Sequence, residues 1–207
     1  MNKGILLVIS GPSGVGKGTI IKRLFELDEN LSFSVSVTTR KPRDGEIDGV
    51  DYCFLTREQY SALKDSGGLL EYVDFSANSY GTPKAEVEHA LNAGRDLILD
   101  IEIQGAANVR RLMPEALLIY IVPPSFEELK KRLAGRGSET EESMKLRLDI
   151  AIRELCEAPD VYDCFVVNDS IENAANEIEA ILRLKRQGKP FPRGSGEQIL
   201  KEVISLA

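Results

Sequence analysis

The sequence has no tryptophan, one histidine and three cysteines. Cys53, Cys156 and Cys164 are widely spaced and odd in number; they fit no zinc spacing and no disulfide framework. A reduced compartment with unpaired thiols follows, and buried apolar roles are expected for all three. His89 falls on a predicted helix with no partner in view and takes no role. No run reaches the ~18 apolar residues of a membrane span. Met1–Gly4 leads straight into an apolar stretch, so no signal peptide is expected and the cytoplasm is the default. The chain also lacks a basic excess: its net charge is −7, against a general nucleic-acid coat. An anionic small substrate must then be met by a local cluster of Arg and Lys. Internal repeats are absent.

What is present is an ordinary composition, 43% apolar and 29% charged over 207 residues, enough for one α/β domain with inserts. Ile5-Leu6-Leu7-Val8-Ile9 reads as a strand. Gly11-Pro12-Ser13-Gly14-Val15-Gly16-Lys17-Gly18-Thr19 follows, and Ile20 to Phe25 opens an amphipathic helix. Strand, glycine-rich turn and helix in that order form a phosphate-binding loop. Backbone N–H groups turn inward around an anion, and the helix N-terminus adds its positive dipole end. Lys17 can reach the terminal phosphates of a nucleotide. The loop departs from its usual form at Gly18, where Ser or Thr would give a metal a hydroxyl ligand.

Further along, Phe33–Val37, Tyr52–Leu55, Leu69–Phe75, Asp96–Ile101, Leu117–Val122 and Phe165–Val167 read as strands. Leu117–Val122 is continuously apolar, as a strand covered on both faces should be. Thr56 with Gln59 forms a capping box that starts a helix ending at Gly67-Gly68. Tyr80-Gly81-Thr82-Pro83 reads as a turn into a helix over Lys84–Ala93. Helices are expected over Phe126–Leu133, Glu141–Glu157 and Ile171–Leu184, and a short terminal one over Ile199–Leu206. Gln187–Gly196 reads as irregular. Strands alternating with helices imply a parallel sheet. The stretch about 34–84 breaks that rhythm and reads as an insert, and the charged helices of about 126–157 as a cover.

Thr38-Thr39-Arg40 is followed by Arg43, Glu46, Gly49, Tyr52 and Phe54. Two guanidiniums can hold a dianionic phosphate, and Tyr52 can add a hydroxyl. This stretch resembles the signature of guanylate kinases at every position. The phosphate loop, Leu97–Glu102 with Gln104-Gly105, Leu129–Gly137 and Val166–Asp169 also resemble that family, in family order, over roughly residues 4 to 185.

The resemblance implies an α/β fold of the P-loop kinase kind: a central parallel sheet flanked by helices, a small strand-containing GMP-binding insert and a helical lid. Its parts would be a core of about 1–33, 85–125 and 158–187, the insert of about 34–84, the lid of about 126–157 and a tail of about 188–207. It implies transfer of the γ-phosphate of ATP to GMP. Gly11 to Thr19 would bind ATP with Arg132, Arg136 and Asn168. Ser36, Glu71 and Thr82 would read guanine; Arg40, Arg43, Tyr52 and Tyr80 would hold the GMP phosphate. Asp100, Glu102 and Arg147 would also lie by GMP. Lys17, Arg40, Arg132, Arg136 and Arg147 would serve the transfer. Glu71 suits guanine because a carboxylate accepts from N1–H and the 2-amino group, whereas adenine N1 is an acceptor. The Ser36 and Thr82 hydroxyls can donate to O6.

Such a transfer needs no general base, because a phosphate monoester is largely dianionic at neutral pH. Exclusion of water would require the insert and the cover to close. With Gly18 in the loop, Mg²⁺ would be held by nucleotide phosphates and waters near Asp100, with no direct protein ligand. ATP and GMP are the expected partners, with dGMP left open; no nucleic-acid polymer or membrane is expected, and a monomer and a homodimer both remain open. Two other readings compete: a kinase for AMP or a ribose phosphate, against which Ser13 and Glu71 argue, and a peptide-binding guanylate-kinase-like scaffold, against which Lys17 and the cover arginines argue.

Overall fold

A computed structural model describes residues 3–75, 77–134 and 141–205. The elements are β1 (Leu6–Ser10), α1 (Lys17–Leu27), β2 (Leu31–Phe33), β3 (Val37–Thr38), β4 (Cys53–Phe54), α2 (Arg57–Asp65), β5 (Leu69–Phe75), β6 (Asn78–Pro83), α3 (Lys84–Asn92), β7 (Asp96–Asp100), α4 (Ile103–Leu112), β8 (Leu117–Val122), α5 (Phe126–Ala134), α6 (Glu141–Glu157), β9 (Cys164–Val167), α7 (Ile171–Arg186) and α8 (Glu197–Ser205). One sheet has the strand order β2-β7-β1-β8-β9; another has the order β4-β3-β6-β5. The chain forms two compact units: residues 1–7, 30–99 and 107–116, and residues 8–29, 100–106 and 117–207.

In the first unit β2 runs parallel to β7, Leu31 opposite Asp96. The small sheet hangs on the β5–β6 hairpin, where Glu71 faces Thr82 across antiparallel strands. β3 pairs with β6 on one side and with β4 on the other. Val37, Tyr60 and Leu69 form its core, with Cys53, Leu55 and Leu63 against them. α2 begins at the expected capping box, Thr56 accepting from Gln59 N–H and Gln59 reaching back to Thr56 N–H.

In the second unit β8 and β9 are parallel, Ile119 opposite Cys164. All six residues of β8 are buried, as its unbroken apolar run requires. α1 packs on α7; Ile20, Ile21 and Leu24 are the buried residues of α1, and Ala174, Ala175, Ile178, Ile181 and Leu182 those of α7. Arg23 forks onto Glu172 across this seam at 2.8 and 3.0 Å, and Arg186 pairs with Asp28. The segment before α8 lies along β9: Phe165 N–H donates to Arg193 O at 2.6 Å, and Gly196 N–H to Phe165 O at 2.7 Å. This covers a strand edge that would otherwise present unpaired backbone groups.

Four expectations need correction. The strand read over Phe33–Val37 is two, β2 and β3, parted at Ser34–Ser36, where Glu86 of α3 accepts from Val35 N–H at 3.3 Å. Tyr80–Pro83 is not a turn but the end of β6, because pairing with β5 and β3 satisfies it as a strand. α4 was not anticipated: its apolar positions are few and small, and it buries Ile103, Ala106 and Val109. Only Cys164 of the three thiols is buried; Cys53 is half-buried and Cys156 exposed. No helix among the described residues is long and apolar enough to cross a membrane.

Candidate active site

The second unit carries the phosphate loop. β1 ends at Ser10 and α1 starts at Lys17, with Gly16 as its N-cap at φ +100°. A β-carbon on Gly16 would lie 2.5 Å from Asn168 Nδ2, and one on Gly11 2.6 Å from Ile121 O. The loop therefore has room for neither side chain, and Gly16 adopts a backbone conformation that other residues rarely do. Residues 14–19, Lys22 and Asp100 line a cavity of about 380 Å³ at the N-terminus of α1. Its wall of backbone amides, helix N-terminus and lysines suits an anion.

Lys17 Nζ donates to Gly11 O at 2.8 Å, which folds its side chain back along the loop. Asn168 and Arg132, both expected at ATP, hold the loop itself: Val15 O accepts from Asn168 Nδ2 at 2.6 Å and from Arg132 Nη1 at 3.3 Å. Arg132 also donates to Asn168 O at 3.2 Å and to Glu128 at 2.9 Å. Arg147 lies half-buried on α6. Arg136 lies outside the described residues.

Asp100 and Glu102 share the surroundings of Lys17. Burial pushes both carboxyls up, and the Lys17 charge opposes the shift. Gly18 offers no side-chain ligand atom, and among the described residues nothing outside its own turn lies within 4 Å of where its β-carbon would be. No group of three or more His, Cys, Asp and Glu among the described residues could hold a metal by itself.

Sequence reasoning missed Glu154 of α6. Its carboxyl is pushed up to about 7, first by burial and then by Glu102 and Glu157, with Lys17 opposing. The signal was legible: Glu154 follows Ala151 by three residues and precedes Leu155, both buried. The buried hydroxyl of Tyr120 has no protein partner among the described residues, and its ring stands 5.0 Å from that of Tyr162.

The first unit carries the other residues. Glu71 of β5 and Thr82 of β6 are both buried, and Thr82 Oγ1 donates to Glu71 Oε1 at 2.7 Å. Glu71 Oε2 is buried with no partner among the described residues, and burial pushes the carboxyl up. The Thr82 proton goes to Glu71, so in this arrangement it is not available to a purine O6. Ser36 stands half-buried in the break between β2 and β3, its carbonyl accepting from Cys53 N–H at 2.9 Å.

Arg40, Tyr52 and Tyr80 are brought together. The Arg40 guanidinium lies 5.2 Å from the Tyr52 ring and 5.7 Å from that of Phe54. The Tyr52 and Tyr80 rings meet edge to face at 6.1 Å. Arg43 is exposed; its backbone N–H donates to Glu46 at 2.7 Å. The second unit thus gathers a loop of amides with a lysine, and the first an arginine with tyrosines and, on β5, a buried carboxylate.

A family model described as guanylate kinase matches residues 3–185. The chain belongs to the guanylate kinase family. It is 47% identical over 203 residues to a guanylate kinase of Oceanobacillus iheyensis, covering 98% of both chains. A guanylate kinase of Clostridioides difficile is 46% identical over 182 residues, 88% of each chain. The crystal structure of guanylate kinase from Anaplasma phagocytophilum matches with a TM-score of 0.74 and 33% identity, over 98% of this chain and 95% of that one. As a guanylate kinase, the chain is an enzyme of the nucleoside monophosphate kinase class, whose members in this family phosphorylate GMP to GDP with ATP.

Proposed function

We propose that the protein makes ADP and GDP from ATP and GMP by in-line phosphoryl transfer without a general base. GMP arrives with its phosphate largely dianionic, so the nucleophile needs no deprotonation. The protein's work is to orient two phosphates, neutralise their charge and keep water out. The Gly11–Thr19 loop and Lys17 receive the ATP phosphates, with Arg132, Arg136 and Asn168 on the ATP side. Arg40, Arg43, Tyr52 and Tyr80 take the GMP phosphate, and Ser36, Glu71 and Thr82 its base. Asp100, Glu102 and Arg147 also serve GMP. Lys17, Arg40, Arg132, Arg136 and Arg147 offset charge that spreads over the equatorial oxygens. Mg²⁺ would be carried in by the nucleotide phosphates and water near Asp100 and would supply neutralisation of phosphate charge.

The observation that carries the substrate assignment is Glu71. Its Thr82-bonded oxygen and its buried one, without a partner among the described residues, are an incomplete hydrogen-bond set. The N1–H and 2-amino donors of guanine complete it; adenine N1, an acceptor, does not. The same reading divides the chain into a core (about 1–33, 85–125 and 158–187), a GMP-binding insert (about 34–84), a lid (about 126–157) and a tail (about 188–207). Its nucleotide substrates and unpaired thiols suit the cytoplasm. The mechanism is tested with ATP made chiral at the γ-phosphorus by oxygen isotopes. A single in-line transfer gives GDP with inverted configuration; retention would mean a phosphorylated enzyme intermediate and would end this mechanism.

A further inference from the structure

Glu46 lies beside the Arg40 cluster, and no role has yet been given to it. Its carboxylate takes Arg40 end-on: Nη2 donates to Oε1 and Nη1 to Oε2, each at 2.9 Å. The second Nη1–H goes to Lys41 O at 2.8 Å. A guanidinium has five N–H donors, and this use of one end leaves the side edge, Nε–H with the remaining Nη2–H, to the phosphate and to the Tyr80 hydroxyl that interacts with Arg40. That edge is itself a two-pronged fork of the shape that matches an oxyanion. The Tyr52 and Phe54 rings restrict the plane, and both members of the pair are largely withdrawn from solvent, with side chains 13% and 19% exposed. Glu46 Oε2 also accepts from Arg43 N–H at 2.7 Å, which fixes the carboxylate on its own loop.

We propose that Glu46 is a positioning residue for the acceptor phosphate: it grips one end of Arg40 so that the side fork is presented to the phosphate of the nucleoside monophosphate. The inference rests on the assignment of Arg40 to that phosphate. Glu46 carries a negative charge of its own near the incoming dianion. Two effects therefore oppose each other: the charge repels the phosphate, and the grip removes the rotamer freedom that a long arginine side chain would lose on binding. The bidentate, ring-restricted geometry makes positioning the larger effect. Glu46→Gln would aim an NH₂ at one Nη donor and break the fork. Glu46→Asp would keep the charge but withdraw the carboxylate by one methylene.

The test measures binding of GMP and of guanosine to the full chain, with KM for GMP and for ATP. Both Glu46→Gln and Glu46→Asp should weaken GMP by about tenfold or more, leaving guanosine and KM for ATP within about twofold. Arg40→Ala should weaken GMP as well, and adding Glu46→Gln to it should cause no further loss. Tighter or unchanged GMP binding by Glu46→Gln, while Arg40→Ala weakens it, would overturn the inference and leave the phosphate site standing. Additive losses in the double variant, or loss of guanosine together with GMP, would make Glu46 a loop-building residue only. Unchanged GMP binding by Arg40→Ala would remove the phosphate-site assignment and the inference with it.

Discussion

Thr82 Oγ1 and Glu71 Oε1 lie 2.7 Å apart across the β5–β6 hairpin, in a buried site where the carboxylate's other oxygen has no partner among the described residues. An acceptor buried in this way is costly until a donor arrives, and the donor pattern of guanine matches it. Replacing Glu71 by Gln substitutes an NH₂ for one of the two acceptor oxygens. Loss of a hydrogen bond to a charged group, at about 1.5–3 kcal/mol, should raise KM for GMP roughly tenfold to a hundredfold. Steady-state kinetics with GMP and AMP check this; an unchanged GMP/AMP preference would count against Glu71 as the base reader.

Gly16→Ala should damage the phosphate loop. The position has φ +100°, and the new β-carbon would meet Asn168 Nδ2 at 2.5 Å. Backbone strain of this kind costs about 1–3 kcal/mol, which for a chain of this size lowers Tm by several degrees. Displacing Asn168 also loosens Val15 O, so KM for ATP should rise more than KM for GMP. Calorimetry and paired kinetics check both halves.

Gly18→Ser points the other way. Open space surrounds the site of the new side chain, so stability should stay within ~0.5 kcal/mol. The added hydroxyl gives the metal a ligand that the loop lacks, and the Mg²⁺ concentration at half-maximal rate should fall. A Mg²⁺ titration of the rate at fixed ATP decides; an unaltered requirement contradicts a metal held only through phosphates and water.

Glu154 predicts a pH dependence of stability. Its carboxyl is pushed up to about 7 in the folded chain from an ordinary value near 4.5, burial being the main cause. The folded state therefore binds the proton more tightly than the unfolded one. The resulting stabilisation is complete below about 4.5 and is lost as pH rises through about 7. Urea midpoints at about pH 5.5 and about pH 8 should fall more in the wild type than in Glu154→Gln, which cannot ionise. Equal falls would mean that Glu154 is solvated.

Local chemistry was legible where it decides the structure by itself. The unbroken apolar runs of β1 and β8, the Thr56–Gln59 capping box and the glycine spacing of the phosphate loop each fix a short segment. Long-range pairing was not legible. Tyr80–Pro83 carries Gly and Pro and so resembles a turn, yet Gly81 lies under Leu69 and the strand is held by neighbours on both sides. The same holds for Ser34–Ser36, pinned from α3 by Glu86. Within the site, the residue types at Glu71, Thr82, Arg40 and Tyr52 could be singled out from sequence. Their partners could not: that Thr82 spends its proton on Glu71, that Glu46 occupies one end of Arg40, and that Asn168 and Arg132 brace Val15 O are facts of packing.

The most direct test of the account is ADP release from ATP, measured by a coupled assay with GMP, AMP, CMP, UMP and ribose 5-phosphate supplied one at a time. The account predicts rapid ADP formation with GMP, matched by GDP, and little with the others. Equal or faster turnover with AMP or ribose 5-phosphate, or no turnover with GMP, would contradict it.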